Sequence, residues 1–196
     1  MRKMRFFLKA AMLMAALVQC KKEDATENAS GGTTVVLDVH NDVLRWRYYS
    51  FEKNQEVSVE NFSDDLSWDL GIRYESFRTN GGKSGKGQGA VLDLGVVNFD
   101  KVTMADVAGK TFVEDDSIMV LASMSMPPVM EKTPGSVPLE DMFQSPQGPP
   151  PHTYTPNQHV YVIRTASGKH VKLIGLSFFN DQGEEGWFNF KFAFLD

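Results

Sequence analysis

Methionine is the residue whose type and spacing in this sequence most clearly suggest chemistry. Six methionines follow residue 20, and all of them lie within the 39 residues from 104 to 142. Thioether sulfur is a soft ligand that suits Cu(I) or haem iron, and it equally fills irregular gaps beneath loops. Composition leaves both interpretations open. The six are Met104, Met119, Met124, Met126, Met130 and Met142.

Histidine offers a second type of metal ligand. His40, His159 and His170 lie in or beside predicted strands, where an ordinary surface or edge position is expected. His152 differs because it lies in a proline-rich segment beside Tyr154. We therefore keep His152 as an alternative iron ligand.

Motifs for catalysis are missing from the sequence. It contains neither Gly-x-Ser-x-Gly nor His-Glu-x-x-His. Asp64 and Asp65 are a poor acid–base pair, because neighbours on a strand point to opposite faces. The glycine-dense loop 80–89 lacks the Gly-Lys-Ser/Thr ending and the following helix of a phosphate loop, and we expect a mobile hairpin there, with Lys83 and Lys86 solvated. We expect no enzymatic activity.

The elements that must position these residues are predicted to be strands. Short runs rich in β-branched and aromatic residues alternate with turn residues, and no segment forms an amphipathic helix of twelve or more residues. The pattern predicts an all-β, sandwich-like or barrel-like domain. Strands are predicted at 34–39, 44–51, 56–59, 68–74, 76–79, 90–97, 112–113, 117–123, 160–165, 170–176 and 188–195.

The segment 127–156 is rich in proline, which removes backbone donors and excludes a long helix or a central strand. We expect an irregular excursion. Long irregular loops inside compact domains are usually functional, and this one contains Met130 and Met142.

The first 32 residues are typical of an exported lipoprotein. A basic start and an apolar run, 10–18, precede the lone Cys20. Residues 1–19 are predicted to be a lipoprotein signal peptide, and 20–32 a flexible tether from a lipidated Cys20; an ordinary signal peptide with a stray cysteine is the alternative. Residues 33–196 form the single predicted domain. The net charge of −5 argues against a nucleic-acid partner.

Two stretches carry a resemblance to a known family. The first comprises Asp65 to Asp69 (DLSWD), then Arg73, Tyr74 and Arg78, and the loop 80–89 (NGGKSGKGQG). The second is 153–173, with a Thr-Tyr pair, the strand VYVIR and an Ala-x-Gly turn. Together they resemble the HmuY family of haem-binding outer-membrane lipoproteins.

The resemblance implies a single-domain antiparallel sandwich-like fold of the HmuY type, in which long irregular loops hold haem between two extensions. Family members use two histidines or methionines, one from each extension. The first region corresponds to 124–130, which has no histidine. The implied ligands are Met130 and Met142. Met124 and Met126 are alternatives for the first ligand and His152 for the second, and Phe143, Tyr154, Pro127 and Pro128 supply apolar contacts to the porphyrin.

The function that the resemblance implies is haemophore-like. The protein would capture haem outside the cell, with host haemoproteins as one source, and deliver it to a TonB-dependent outer-membrane receptor. It would be a surface-exposed or secreted outer-membrane lipoprotein that touches the membrane by its lipid anchor only. Two other hypotheses stay open: a structural or glycan-binding β-lipoprotein that uses Trp46, Tyr48, Tyr49 and Trp187, and a Cu(I) carrier that uses Met124, Met126 and Met130.

Overall fold

The computed structural model describes residues 31–144 and 153–195, together with the backbone of Glu27 and Asn28. Within these residues the chain is almost entirely β, with three single-turn 3-10 helices, Phe99–Lys101, Met104–Asp106 and Val137–Leu139. None of the described helices has the length and apolar character needed to cross a membrane. The strands are β1 (Glu27–Asn28), β2 (Gly32–Asp38), β3 (Arg47–Ser50), β4 (Gln55–Val57), β5 (Leu70–Arg73), β6 (Ser76–Thr79), β7 (Ala90–Asp93), β8 (Asp116–Ser123), β9 (Val129–Gly135), β10 (Phe143–Gln144), β11 (Thr155–Pro156), β12 (Val160–Arg164), β13 (His170–Phe179) and β14 (Glu185–Leu195).

Two larger antiparallel sheets form the body of the protein. One has six strands in the order β1-β2-β14-β13-β12-β7, and the other has four in the order β4-β3-β5-β6. Among the described strands, β8 pairs only with β9, and β10 only with β11. The predicted all-β class with antiparallel sheets is therefore confirmed.

Aromatic side chains of β14 fill the space between the two larger sheets. Phe188, Phe190 and Phe192 alternate with more exposed residues and are buried. The ring centroids of Phe188 and Phe190 lie 4.8 Å apart, and Tyr49 of β3 approaches Phe190 edge-on at 5.6 Å. The sequence pattern predicted a half-buried closing strand at this place, and the structure confirms it.

The glycine-dense loop 80–89 is packed around one buried side chain. The amide of Asn80 donates to the carbonyl oxygens of Asp65 and Trp68 at 2.8 and 2.9 Å, and its oxygen accepts from the N–H of Gly87. A Cβ at Gly85 would lie 2.2 Å from that oxygen. The glycines therefore let the backbone close on Asn80, so the expectation of a mobile hairpin is wrong, whereas Lys83 and Lys86 are exposed as expected.

The proline-rich segment 127–156 also differs from its prediction. Only part of it is irregular, because β9, β10 and β11 all lie inside it. β9 accommodates Pro134 opposite Ser117 at the far end of a two-stranded hairpin, where a missing donor is tolerated. The predicted strand 112–113 is reduced to an isolated bridge between Val91 and Val113.

Candidate functional site

The hairpin formed by β8 and β9 is the most exposed apolar feature of the described chain. Val129 follows a tip of five residues, 124–128, after β8 ends at Ser123. Within the tip, the hydroxyl of Ser125 donates to the carbonyl of Pro127 at 2.9 Å. Met124 is 70% exposed and Met126 is 94% exposed. Apolar side chains this exposed at one place indicate a binding surface.

The two strands of this hairpin have one buried and one exposed face. Ile118 and Val120 point toward the protein and are buried. On the outer face Met130 lies opposite Leu121, and Met119 lies opposite Lys132; residues directly opposite in an antiparallel pair share a face. Both methionines are about half exposed. The hairpin therefore presents four accessible thioethers, at Met119, Met124, Met126 and Met130.

Arg73 fixes the hairpin to the body of the protein. Its Nη2 donates to the carbonyl oxygen of Leu121 on β8, and its Nη1 lies 3.2 Å from a carboxylate oxygen of Glu131 on β9. Its Nε donates to the carbonyl oxygen of Val43 at 3.1 Å. The planar guanidinium thus joins both strands of the hairpin to one loop of the body.

Two carboxyl groups lie at the base of the hairpin. Asp115 immediately precedes β8 and accepts hydrogen bonds from the N–H and hydroxyl of Thr79 at 2.7 and 2.8 Å. Glu140 follows the 3-10 helix after β9 and accepts from the N–H of Phe77 at 3.4 Å. Burial raises the pKa of Asp115 to about 6 and that of Glu140 to about 7. The base of the hairpin therefore changes charge near neutral pH.

An aromatic cluster lies next to the turn that joins β5 to β6, residues 74–75. Tyr74, which follows Arg73 with a left-handed φ of 54°, packs edge-on against Tyr154 and Phe178, with ring centroids 6.1 and 5.0 Å away. Phe143 packs against Phe178 at 5.5 Å. Arg73 thus contacts the hairpin while Tyr74 contacts this cluster, so one turn links the two regions.

Met142 is buried in this cluster. Its side chain has no exposed surface, and a Cβ added at Gly175 would lie 2.9 Å from its sulfur. Phe143 and Tyr154 are buried as well. In this conformation the three residues pack against the body, so the structure does not place them at the exposed tip with Met130.

The described histidines contact other parts of the chain, as expected of ordinary surface or edge residues. His152 lies outside the described residues, as do the predicted signal peptide, Cys20 and most of the tether. His40 and His159 contact the carbonyl of Glu185 and the carboxylate of Asp93, respectively, and His170 packs near Phe112. Within 31–144 and 153–195, no group of three or more His, Cys, Asp or Glu residues forms a metal site.

The residues that carry the family resemblance build the scaffold. Trp68 is buried and donates to the carbonyl of Phe62, while Asp69 accepts from the N–H groups of Phe51 and Ala166, each at 3.0 Å. Asp69 therefore ties the end of β3 to the turn after β12. The motif holds strands together rather than presenting ligands.

Arg78 is the second buried cation of that motif. Its guanidinium carbon lies 3.5 Å from the ring centroid of Trp46 and 4.3 Å from that of Phe62, an arrangement typical of cation–π contacts. Burial lowers the pKa of Arg78 to about 10.

The aromatic residues considered as sugar platforms are largely covered. Tyr48 is buried against Trp68, with ring centroids 4.9 Å apart. Tyr49 is also buried, so neither tyrosine can serve as the sugar platform considered from the sequence. Trp46, whose ring is in contact with Arg78, and Trp187 of β14 are partly exposed.

Comparison with protein families decides the affiliation of the chain. The family described as HmuY protein matches residues 42–192. The chain belongs to the HmuY family. A search of curated proteins gives no match. The resemblance inferred from the motifs around Trp68 and Tyr154 is thus confirmed.

Solved structures related to HmuY share the fold. A HmuY-like candidate haem-binding protein from Bacteroides vulgatus ATCC 8482 superposes with a TM-score of 0.66 at 20% identity, covering 86% of this chain and 94% of its own. The apo HmuY analog from Tannerella forsythia gives 0.64 at 18%, covering 84% and 96%. A candidate lipoprotein from Bacteroides fragilis NCTC 9343 gives 0.64 at 20%, covering 86% and 92%. At these identities the similarity establishes the HmuY-type fold.

Two features of the site were missed by sequence reasoning. Met119 shares the outer face of the hairpin with Met130. Counting every second residue along β8 and β9 gives this result, but only when β9 is recognised as a strand. Arg73 was noted as a family motif residue, but its contact with Leu121 and Glu131 joins residues about 50 positions apart. No local pattern indicates that contact.

Proposed function

We propose that this protein is a haemophore-like lipoprotein that binds haem through methionine thioethers. The observation that carries the proposal is the β8–β9 hairpin, where a HmuY-family chain exposes Met124 and Met126 at the tip and Met130 beside it on β9. Exposed thioethers are costly to leave in water without a partner, and haem offers both a soft iron and a large apolar face.

Met130 is proposed as the first iron ligand. It lies on β9 at a paired position, opposite Leu121, so its backbone is held by the strand ladder. Met124 and Met126 lie in the tip and are the alternatives. Haem supplies the iron, and the protein holds it with neutral sulfur ligands, which favour the ferrous state over the ferric state relative to imidazoles.

Met142 is proposed as the second ligand, and this requires a local rearrangement. Its thioether would have to leave the core, and exposing a methionine side chain costs roughly 1.5 to 3 kcal/mol. Each 1.4 kcal/mol of that cost would weaken the observed haem affinity about tenfold, so the bond to iron and the contacts with the porphyrin would have to offset it. β10, which follows Met142, is a two-residue strand whose one partner within the described part of the chain is β11.

The cellular role follows from family membership and the proposed signal peptide. A lipidated Cys20 would anchor the domain to the outer membrane, exposed to the surroundings or released. Haem captured there, from host haemoproteins among other sources, would pass to a TonB-dependent receptor. One structural relative is itself described as a candidate lipoprotein, which supports the anchored form.

A haem titration of the purified protein, oxidised and reduced, tests the proposal. We expect one haem per chain, with tighter binding in the reduced form and a low-spin ferrous spectrum. Absence of any Soret shift under reducing conditions would refute haem binding. Tight Cu(I) binding without haem binding would instead favour the copper carrier, and glycan binding without haem a structural role.

Leucine substitutions identify the ligands, because leucine keeps the side-chain volume and removes the sulfur. We expect Met130→Leu and Met142→Leu each to abolish the low-spin ferrous spectrum. Met104→Leu is the matched control, since Met104 lies half-buried on a separate 3-10 helix. An unchanged spectrum in Met142→Leu would remove Met142 from the site and leave Met130 with another partner.

A further inference from the structure

The outer part of the β8–β9 hairpin has few attachments to the body. Between residues 122 and 130, all of which are described, the hydrogen bonds run within the hairpin itself. The bonds of Arg73 to Leu121 and Glu131 are therefore the outermost polar links between hairpin and body. They are the polar contacts with the body that lie nearest to Met130 and the tip.

Arg73 acts on the strand positions next to the proposed ligand. Leu121, whose carbonyl accepts from Arg73, is the residue opposite Met130 in the ladder, and Glu131 is the next residue after Met130. One guanidinium thus contacts the backbone opposite Met130 and the side chain of the residue that follows Met130. A lysine at this position retains the charge but lacks the planar fork that reaches both strands.

The body side of this link is rigid. Arg73 is only 6% exposed, it ends β5, and its Nε donates to the carbonyl of Val43. Tyr74 follows in the left-handed region and packs against Phe178 of the core. The Arg73 side chain therefore has little freedom and offers a fixed point of attachment to the outer part of the hairpin, while the buried Ile118 and Val120 anchor its inner part.

We propose that Arg73, together with Glu131, is a positioning residue that holds the methionine hairpin in the orientation in which haem binds. The proposal rests on the proposed haem function, and it names the part of the scaffold that determines the affinity of the site. Partners that orient metal ligands typically account for a 10- to 100-fold difference in metal affinity, so loss of the link is expected to weaken haem binding by about tenfold.

The first experiment compares haem affinity and thermal unfolding of Arg73→Lys and Glu131→Gln with those of the unsubstituted protein. We expect about tenfold weaker binding for Arg73→Lys and a smaller loss for Glu131→Gln, which keeps an acceptor but loses the charge. Glu52→Gln is the matched control, because Glu52 forms an exposed ion pair with Lys169 at 3.0 Å, and its affinity should not change. Equal affinities for all three variants would overturn the proposal.

A double-mutant cycle separates positioning from general destabilisation. If Arg73 acts through Met130, then Arg73→Lys combined with Met130→Leu should bind haem no more weakly than Met130→Leu alone. Additive losses would show that Arg73 affects haem binding by another route and would overturn the proposal. Glu131→Gln keeps the cycle available if Arg73→Lys folds poorly, because Glu131 is half exposed.

Amide hydrogen exchange of the haem-free protein gives a readout that is independent of haem. Arg73→Lys should speed exchange in residues 120–131 without changing exchange in β14. If the unsubstituted protein fails to bind haem but the exchange result holds, the haem function fails while the attachment of the hairpin stands. If haem binds and neither exchange nor affinity responds to Arg73→Lys, the positioning role alone fails.

Discussion

In strand β14 and in the β8–β9 hairpin, successive side chains alternate between two faces in the same way, but the aromatic face of β14 is covered, whereas the hairpin leaves apolar side chains of one face exposed. β14 has hydrogen-bonded neighbours on both sides, β13 and β2, and its phenylalanines face a second sheet. The hairpin has one buried face and leaves Met119 and Met130 on the other face about half exposed. Alternation defines two faces of a strand, but what covers each face decides whether apolar residues form core or binding surface.

The two regions also differ in the type of apolar residue that they contain. Phenylalanine is stiff and fills a fixed space between the sheets, whereas methionine is flexible and adapts to a ligand. Met142 belongs with the first region, although by sequence it belongs to the methionine cluster. The comparison therefore predicts large stability effects in the core and small ones in the hairpin.

The largest effect on stability is expected among the buried phenylalanines of β14. Phe190→Ala should lower the free energy of unfolding by about 3 to 5 kcal/mol, because it leaves a cavity among Phe188, Tyr49 and Phe192. Denaturant unfolding measures this. Phe194→Ala, on the same face but 38% exposed, is the control and should cost clearly less. Equal losses of stability at both positions would contradict the placement of Phe190 at the centre of the core.

A smaller loss is expected in the glycine-dense loop. Asn80→Ala should lower the free energy of unfolding by about 1 to 3 kcal/mol, since the carbonyl oxygens of Asp65 and Trp68 lose a buried donor. Chemical denaturation gives the value. Asn98→Ala is the matched control, because Asn98 is exposed and caps a single-turn helix at Asp100. A cost near zero for Asn80→Ala would mean that the loop is mobile after all.

The base of the hairpin should show a pH-dependent effect of intermediate to small size. Burial raises the pKa of Glu140 to about 7, so its protonated form is favoured in the folded state. The contribution of this carboxyl is most favourable at acid pH and is lost as pH rises through about 7. Glu140→Gln, which keeps the acceptor for the N–H of Phe77, should therefore be more stable than the unsubstituted protein at pH 8 by up to about 1 kcal/mol.

Thermal unfolding at pH 4 and pH 8 measures the Glu140 effect, and the difference should nearly vanish at pH 4, because Glu140 is then protonated in both the folded and the unfolded state. Glu114→Gln, at an exposed glutamate, supplies the control and should show no such pH dependence. A stability gain for Glu140→Gln that is the same at both values of pH would show that charge burial at this position is not the cause.

The smallest effect on stability is expected at the hairpin tip, where chemistry should distinguish the methionines instead. Mild peroxide should oxidise Met126 and Met124 first, Met119 and Met130 next, and Met142 last, because oxidation follows exposure. Peptide mass spectrometry gives the order, and unfolding should shift by less than about 0.5 kcal/mol after tip oxidation. Early oxidation of Met142 would show that the core around Gly175 opens readily.

The sequence by itself determined the fold class and several of its parts. The spacing of Phe188, Phe190 and Phe192 predicts a half-buried closing strand, because period 2 is a local property of the backbone. The family affiliation was equally readable, since the stretch around Trp68 and the loop after Asn80 form a contiguous motif. The strand β9 was missed because prolines mask a strand that lies at an edge.

Only the tertiary structure decided which methionines are accessible. Met130 and Met142 lie 12 residues apart in one cluster, yet one is half exposed and the other is buried beside Gly175. The contact of Arg73 with Leu121 and Glu131 is likewise a property of the packed sheets. Burial and contacts between distant residues depend on how elements pack together, and a one-dimensional pattern contains the residue types but not the partner that covers each face.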